Sequence, residues 1–213
     1  MVRGLRQLFC GVVFAAAVDR GWAATTGSLL GTSSPPAVIG GQPLLAFPTD
    51  ATAEFTSVTA VPSPSGLNLS FDQGVEHLVV GSSWYNWGHG YLGDIYATDP
   101  TSVSFSLTIT LPADTTRFVF YAMPSDLVIQ PFTVSETASV SPLVQSIDGG
   151  ADAAGFLFVA APGATLNQIS ITSTGSFAVG EFLLTSIPEA STGRVGFLVL
   201  LLTANRFRRE RRS

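Results

Sequence analysis

Residues 102–112 read SVSFSLTITLP, and the alternation in them is unbroken. Val103, Phe105, Leu107, Ile109 and Leu111 fall on one side, and serine and threonine fall on the other. A period of two is the signature of a strand with one face in a core and one in water. The same texture returns in GLNLSF (Leu67, Leu69, Phe71), RFVFYA, DLVIQPFTVSE, SPLVQSI, GFLFVA, NQISITS and SFAVGEFLLTS. Gly, Pro, Asp and Asn punctuate these segments, and no stretch between them carries a 3.6-residue period. Roughly nine or ten short strands with turn signals predict an all-β, antiparallel β-sandwich, jelly-roll-like or Ig-like. Pro131 inside a strand pattern predicts an edge strand or a bulge at that point.

The two ends of the chain differ from this middle. Residues 1–24 place Arg3 and Arg6 first, then an apolar run from Leu8 to Val18, then small residues. That order predicts a secretory signal peptide cut after Ala23 or Ala24; the alternative is a retained amphipathic start. The single cysteine, Cys10, lies inside this segment, so the exported chain has no thiol chemistry and no disulfide. Residues 25–52 are rich in Thr, Ser, Gly and Pro and read as a flexible leader. The β-domain is expected over 53–187, and a further segment over 188–213.

Charge sharpens this division. The chain has no lysine and ten arginines, and five of these (Arg206, Arg208, Arg209, Arg211 and Arg212) fall in the last eight residues. Between Thr25 and Ile187 Arg117 alone faces twelve acids, a formal charge of −11. Such a surface repels phosphate backbones, which excludes nucleic acid as a partner.

Residues 188–213 have three parts in order. They are the polar motif Pro188-Glu189-Ala190-Ser191-Thr192, the apolar run Val195 to Ala204, and the arginine cluster. The run predicts a hydrophobic C-terminal helix in lipid, with the arginines held cytoplasmic. At ten residues it is shorter than the usual span of about 20, so the helix would have to recruit Ala190 to Gly193, let Arg194 snorkel or thin the bilayer. A disordered basic tail without an anchor is the plain alternative.

This three-part order resembles the PEP-CTERM sorting signal of Gram-negative bacteria. Pro188 and Glu189 match the first two motif positions, and Ala190 stands where the family has its second proline. The resemblance covers residues 188–213. It implies an exosortase-type processing enzyme as partner, a membrane-anchored precursor, and a destination in the cell envelope or outside the cell. It also implies a host that makes surface polysaccharide.

The densest chemistry lies in residues 82–96, SSWYNWGHGYLGDIY. Trp84, Tyr85, Trp87, Tyr91 and Tyr96 are interrupted by Gly88, Gly90 and Gly93, which predicts a turn-rich connection between two strands. The candidate ligand-binding residues are Trp84, Tyr85, Trp87, His89, Tyr91 and Asp94. Rings of this kind stack on sugar faces, and Asn86, His89 and Asp94 supply hydrogen bonds to hydroxyls. Equally, aromatic residues beside glycines fill the corner of a sandwich. The pattern W-x-x-W-x-H-G-Y-x-G-D-x-Y is similar to a stretch of other PEP-CTERM passenger domains, which implies a shared fold more than a shared activity.

Other constellations are thinner. His77 and His89 stand twelve apart with no cysteine, a poor zinc set, so no metal ligands are assigned. A triad of His89, Asp94 and a serine lacks any motif that would order it. DGGAD, from Asp148 to Asp152, offers oxygens to Ca²⁺ but without EF-hand spacing, and reads first as a polar turn. Asn68 heads a formal glycosylation sequon inside a strand pattern. No catalytic residue and no cofactor is assigned. The leading expectation is a non-catalytic surface or matrix protein, with glycan as the candidate ligand of its aromatic stretch. A secreted carbohydrate-active hydrolase is the second, and a domain without a ligand is the third.

Overall fold

The computed structural model describes residues 25–102, 104–137 and 141–186. Within these residues the chain is all β, without a helix. The strands are β1 (Thr26–Gly31), β2 (Val38–Ile39), β3 (Gln42–Pro43), β4 (Leu45–Ala46), β5 (Ser57–Pro62), β6 (Asn68–Val79) and β7 (Asp94–Ala97). They continue with β8 (Ser106–Thr110), β9 (Thr115–Pro124), β10 (Ile129–Glu136), β11 (Leu143–Asp148), β12 (Ala154–Val159), β13 (Gln168–Thr172) and β14 (Phe177–Ser186). The ladders between these strands are antiparallel. One hydrogen-bonded path runs β1-β12-β9-β14-β7-β6-β8-β13-β10-β11, with β4 added to β14 and β5 to β6. Strands β2 and β3 form a separate hairpin.

This path folds back over itself. The long strand β6 pairs through Ser70 and Phe71 with β8, and through Glu76 to Val79 with β7. Between the two halves the β5 register shifts, and Gly74 lies so close to Ser57 that a Cβ there would stand 2.5 Å from its Oγ. A strand that changes partners across such an irregularity is how one sheet turns a sandwich corner. Phe118, Phe120, Phe156 and Phe158 from β9 and β12 then meet Leu107, Ile109, Phe132, Val134, Ile169 and Ile171 from the opposite layer in one core. The ends of the path also approach each other, Gly27 of β1 packing on Leu143 of β11.

The alternation of residues 102–112 holds where it is described: Leu107, Ile109 and Leu111 are buried, and Ser106 and Thr110 are exposed. Strand β9 is buried on both faces. Phe118, Phe120 and Ala122 enter the main core, whereas Val119, Tyr121 and Met123 join a second, smaller core on the outer face. Strand β14 serves both cores by changing phase. Phe177 and Val179 point into the main core, and so do Phe182 and Leu184. Gly180 pairs with Tyr121 and Leu183 with Val119, so Glu181 and Phe182 together oppose Phe120. This is a β-bulge, with Glu181 at φ 51°.

Residues 25–52, expected as a flexible leader, are instead part of the β structure. Strand β1 pairs along β12, and β4 pairs with β14. Phe47 packs edge-on against Phe182 at 5.4 Å, and the Tyr121 hydroxyl donates to the Ser33 carbonyl. An edge strand is held by backbone groups that every residue carries, so composition hides it. Pro131 lies where β10 is paired with β11 alone, since the ladder to β13 begins at Thr133. The expected signal peptide, the motif Pro188-Glu189-Ala190, the apolar run expected as a helix and the arginine cluster lie outside the described residues.

Candidate functional site

Residues 80–93 connect β6 to β7 and lie on the outer face of β9, β14 and β7. The anchor is Trp87, 1% exposed among Leu78, Val80, Ile95, Val119, Tyr121 and Met123. The Trp87 carbonyl accepts from Ala153 N at 2.7 Å, and Asn86 Nδ2 donates to the Ala151 carbonyl at 2.7 Å. Gly88, at φ +105°, permits the close approach to this turn, since a Cβ there would meet Asp152 at 2.6 Å.

Two histidine–carboxylate pairs flank the stretch. In the first, His89 Nε2 donates to Glu181 at 2.8 and 2.7 Å, and the Trp87 indole N–H donates to Glu181 Oε2 at 3.2 Å. The bulge in β14 turns Glu181 towards this loop, and Gly180 lets β14 close on β7: a Cβ there would lie 2.6 Å from Ile95 Cγ2. The other ring nitrogen, His89 Nδ1, is buried without a hydrogen-bond partner among the described residues. In the second pair, His77 Nε2 donates to Asp94 Oδ1 at 2.9 Å. Asp94 Oδ2 accepts from Asp50 N at 2.8 Å, and the Tyr96 hydroxyl donates to Asp50 Oδ2 at 3.1 Å. The Tyr91 hydroxyl donates to the Asp94 carbonyl at 3.0 Å.

Between these pairs lies a partly enclosed cavity of about 200 Å³. Phe47, Tyr91, Asp94, Tyr96, Glu181 and Phe182 are among its walls. Burial raises the Glu181 carboxyl above its ordinary range, and the bonds from His89 and Trp87 offset this only in part. Burial likewise raises both tyrosines, with Asp94 and Glu181 adding to it at Tyr91 and Asp50 adding to it at Tyr96. Asp50 is pushed up by burial but ends below its ordinary range, because Thr52, Tyr96 and His77 stabilise its charge. The phenols stay neutral in the physiological range.

A second, more open hollow of about 340 Å³ lies over the outer side of the loop. Tyr85, Asn86, Trp87, His89, Tyr91 and Leu92 line it. Tyr85 is fully exposed and Leu92 is 71% exposed.

The six sequence candidates are therefore brought to one region but face different ways. Tyr85 points outward and Trp87 inward; Trp84, His89, Tyr91 and Asp94 are half-buried. His89 and Asp94 do not form one triad, since each is bonded to a different partner. The two histidines likewise serve separate carboxylates, and the described residues contain no group of three or more His, Cys, Asp or Glu suited to a metal ion. Asp148 closes its own turn, its Oδ1 accepting from Gly150 N at 2.9 Å. Sequence reasoning missed Glu181, His77, Asp50 and Tyr96 as members of the site. A signal was present: Glu181 interrupts the apolar run FAVGEFLL, and His77 interrupts VEHLVV.

No protein-family model matches the chain, and a search of curated proteins finds no match to it.

Proposed function

We propose that this is an exported cell-surface or extracellular-matrix protein whose β-domain binds glycan without catalysis. Its route is the PEP-CTERM-like signal, with an exosortase-type enzyme acting on Pro188-Glu189-Ala190 and the apolar run holding the precursor in the membrane. The observation that carries the binding half is the outer hollow. One stretch supplies Tyr85, Asn86, Trp87, His89, Tyr91 and Leu92 to it, and the fully exposed ring of Tyr85 beside polar groups suits a sugar face.

The two halves are tested separately. Wild type and Tyr85→Ala, both full length, are incubated with host exopolysaccharide and a glycan panel. Binding by wild type that is lost in Tyr85→Ala supports the reading, because a fully exposed side chain contributes little to folding. Absence of binding by wild type across the panel ends it. For sorting, the chain lacking residues 206–213 is fractionated beside wild type. Identical distribution would overturn the topology.

A second reading has one observation in its favour. Asp94 and Glu181 line the same cavity, and burial keeps the Glu181 carboxyl proton-ready. A general acid beside a second carboxylate is the equipment of a carbohydrate-active hydrolase. Release of reducing ends by wild type, abolished in Glu181→Gln, would favour that reading over simple binding.

A further inference from the structure

We propose that the inner cavity between residues 34–48 and β14 binds a small ligand through a primary ammonium group. This goes beyond glycan binding at the outer hollow, with which the cavity shares Tyr91 alone among its lining residues.

The first argument is hydrogen-bond supply. The polar side chains lining the cavity are Tyr91, Asp94, Tyr96 and Glu181. Both phenolic protons are already committed, that of Tyr91 to the Asp94 carbonyl and that of Tyr96 to Asp50. The two carboxylates are acceptors, and their protein partners do not exhaust their lone pairs. With both carboxyls ionised, the described side chains of the cavity offer acceptors without a free donor, so an occupant of that form must bring N–H or O–H groups.

The second argument is charge. Among the described residues two carboxylates line the cavity and no basic side chain does; their histidine partners, His77 and His89, are bonded to them from outside it, and Asp50 stands behind Tyr96. The domain's formal charge of −11 draws cations towards it.

The third argument is the nature of the remaining wall. Phe47, Tyr91, Tyr96 and Phe182 place four aromatic rings around the two carboxylates. Aromatic rings attract ammonium groups. A Ca²⁺ or Mg²⁺ ion would instead require about six oxygen ligands. A quaternary ammonium would leave the acceptors unmet, so the N–H bonds of a primary amine fit better. A volume of about 200 Å³ equals roughly seven waters at their liquid density, enough for one compact ring or short chain. Two sources share this chemistry: a free amine, or an amino sugar whose nitrogen is not acetylated.

The experiment is calorimetric titration of the full-length chain in detergent with glucosamine, N-acetylglucosamine, glucose and cyclohexylamine. The expected result is binding of glucosamine, with glucose and N-acetylglucosamine silent. Cyclohexylamine binding as tightly as glucosamine would assign a free amine; glucosamine alone would assign the amino sugar. Glu181→Gln is expected to weaken the binding about tenfold or more, since a charge-assisted hydrogen bond is lost. Phe47→Ala, at a lining residue beside Phe182, gives a second variant if the first unfolds. Tyr85→Ala should leave amine binding unchanged, which separates this site from the outer hollow. Silence of both amines with folded wild type, or equal binding of glucose and glucosamine, would overturn the proposal.

Discussion

Glu181 and His89 meet at 2.7 Å across 92 residues of chain, and both have a left-handed backbone, at φ 51° and 33°. A left-handed conformation costs a residue with a Cβ roughly 1–2 kcal/mol. Here the bulge and the hydrogen bonds hold two such residues face to face. The pair ties the loop of residues 80–93 to β14 and sets one wall of the inner cavity.

Separating the backbone cost from the carboxylate requires two truncations. Glu181→Ala and Glu181→Gly remove the same hydrogen bonds, but only glycine accepts φ 51° freely. The glycine variant should be the more stable by about 1 kcal/mol. Urea midpoints measure it, and an alanine variant equal to or above the glycine variant would remove strain from the account.

The pH dependence has a definite sign. Glu181 binds its proton more tightly folded than unfolded, because burial holds its carboxyl above the ordinary 4.5. Its contribution favours the fold below that value and is lost as pH rises through the folded value. Glu181→Gln removes this loss. The stability difference between Glu181→Gln and wild type should therefore shift in favour of glutamine from about pH 4 to about pH 8. A difference that is flat across this range would contradict it.

Gly180 is required by contact. A methyl group there would lie 2.6 Å from Ile95 Cγ2 and 2.9 Å from the Asp94 carbonyl oxygen. Gly180→Ala should cost about 2–3 kcal/mol, because β7 and β14 must part to admit it. Chemical denaturation reads the loss, and near-neutral behaviour would mean that the two strands separate easily.

Trp87 and Tyr85 should behave as opposites although two positions apart. Trp87→Phe keeps a ring in the second core but removes a donor from buried Glu181, with a cost of about 2 kcal/mol. Tyr85→Ala, at a fully exposed position, should stay within about 0.5 kcal/mol of wild type. Thermal unfolding of both variants checks the contrast.

The legible part of the fold was the part written in side-chain alternation. Residues 102–112 showed β8 directly, because one face is buried and the other wet. Strand β1 was hidden, since its partner β12 recognises its backbone and not its composition. Strand β14 was visible as a strand, but not its change of phase. Gly180 and Glu181 mark a bulge only once Tyr121 and Val119 are known to stand opposite. The aromatic stretch located the site, but its partners lay elsewhere in the sequence. Glu181 reaches His89 from 92 positions away, and Asp50 reaches Asp94 from 44. Pairings of that span are set by sheet order, which no local pattern records.

The near-meeting of β1 and β11 bears on how such a molecule behaves in a crowd. Each strand is paired on one side only among the described residues, and exposed strand edges are where chains add to one another into fibres. With Gly27 packed against Leu143, the open borders of β1 and β11 lie beside each other within one molecule, whereas β4 and β5 each pair with one strand only among the described residues. A second copy approaching either border meets the other border of the same molecule. Gly27→Leu, by forcing these two borders apart, should raise the tendency of the chain to polymerise.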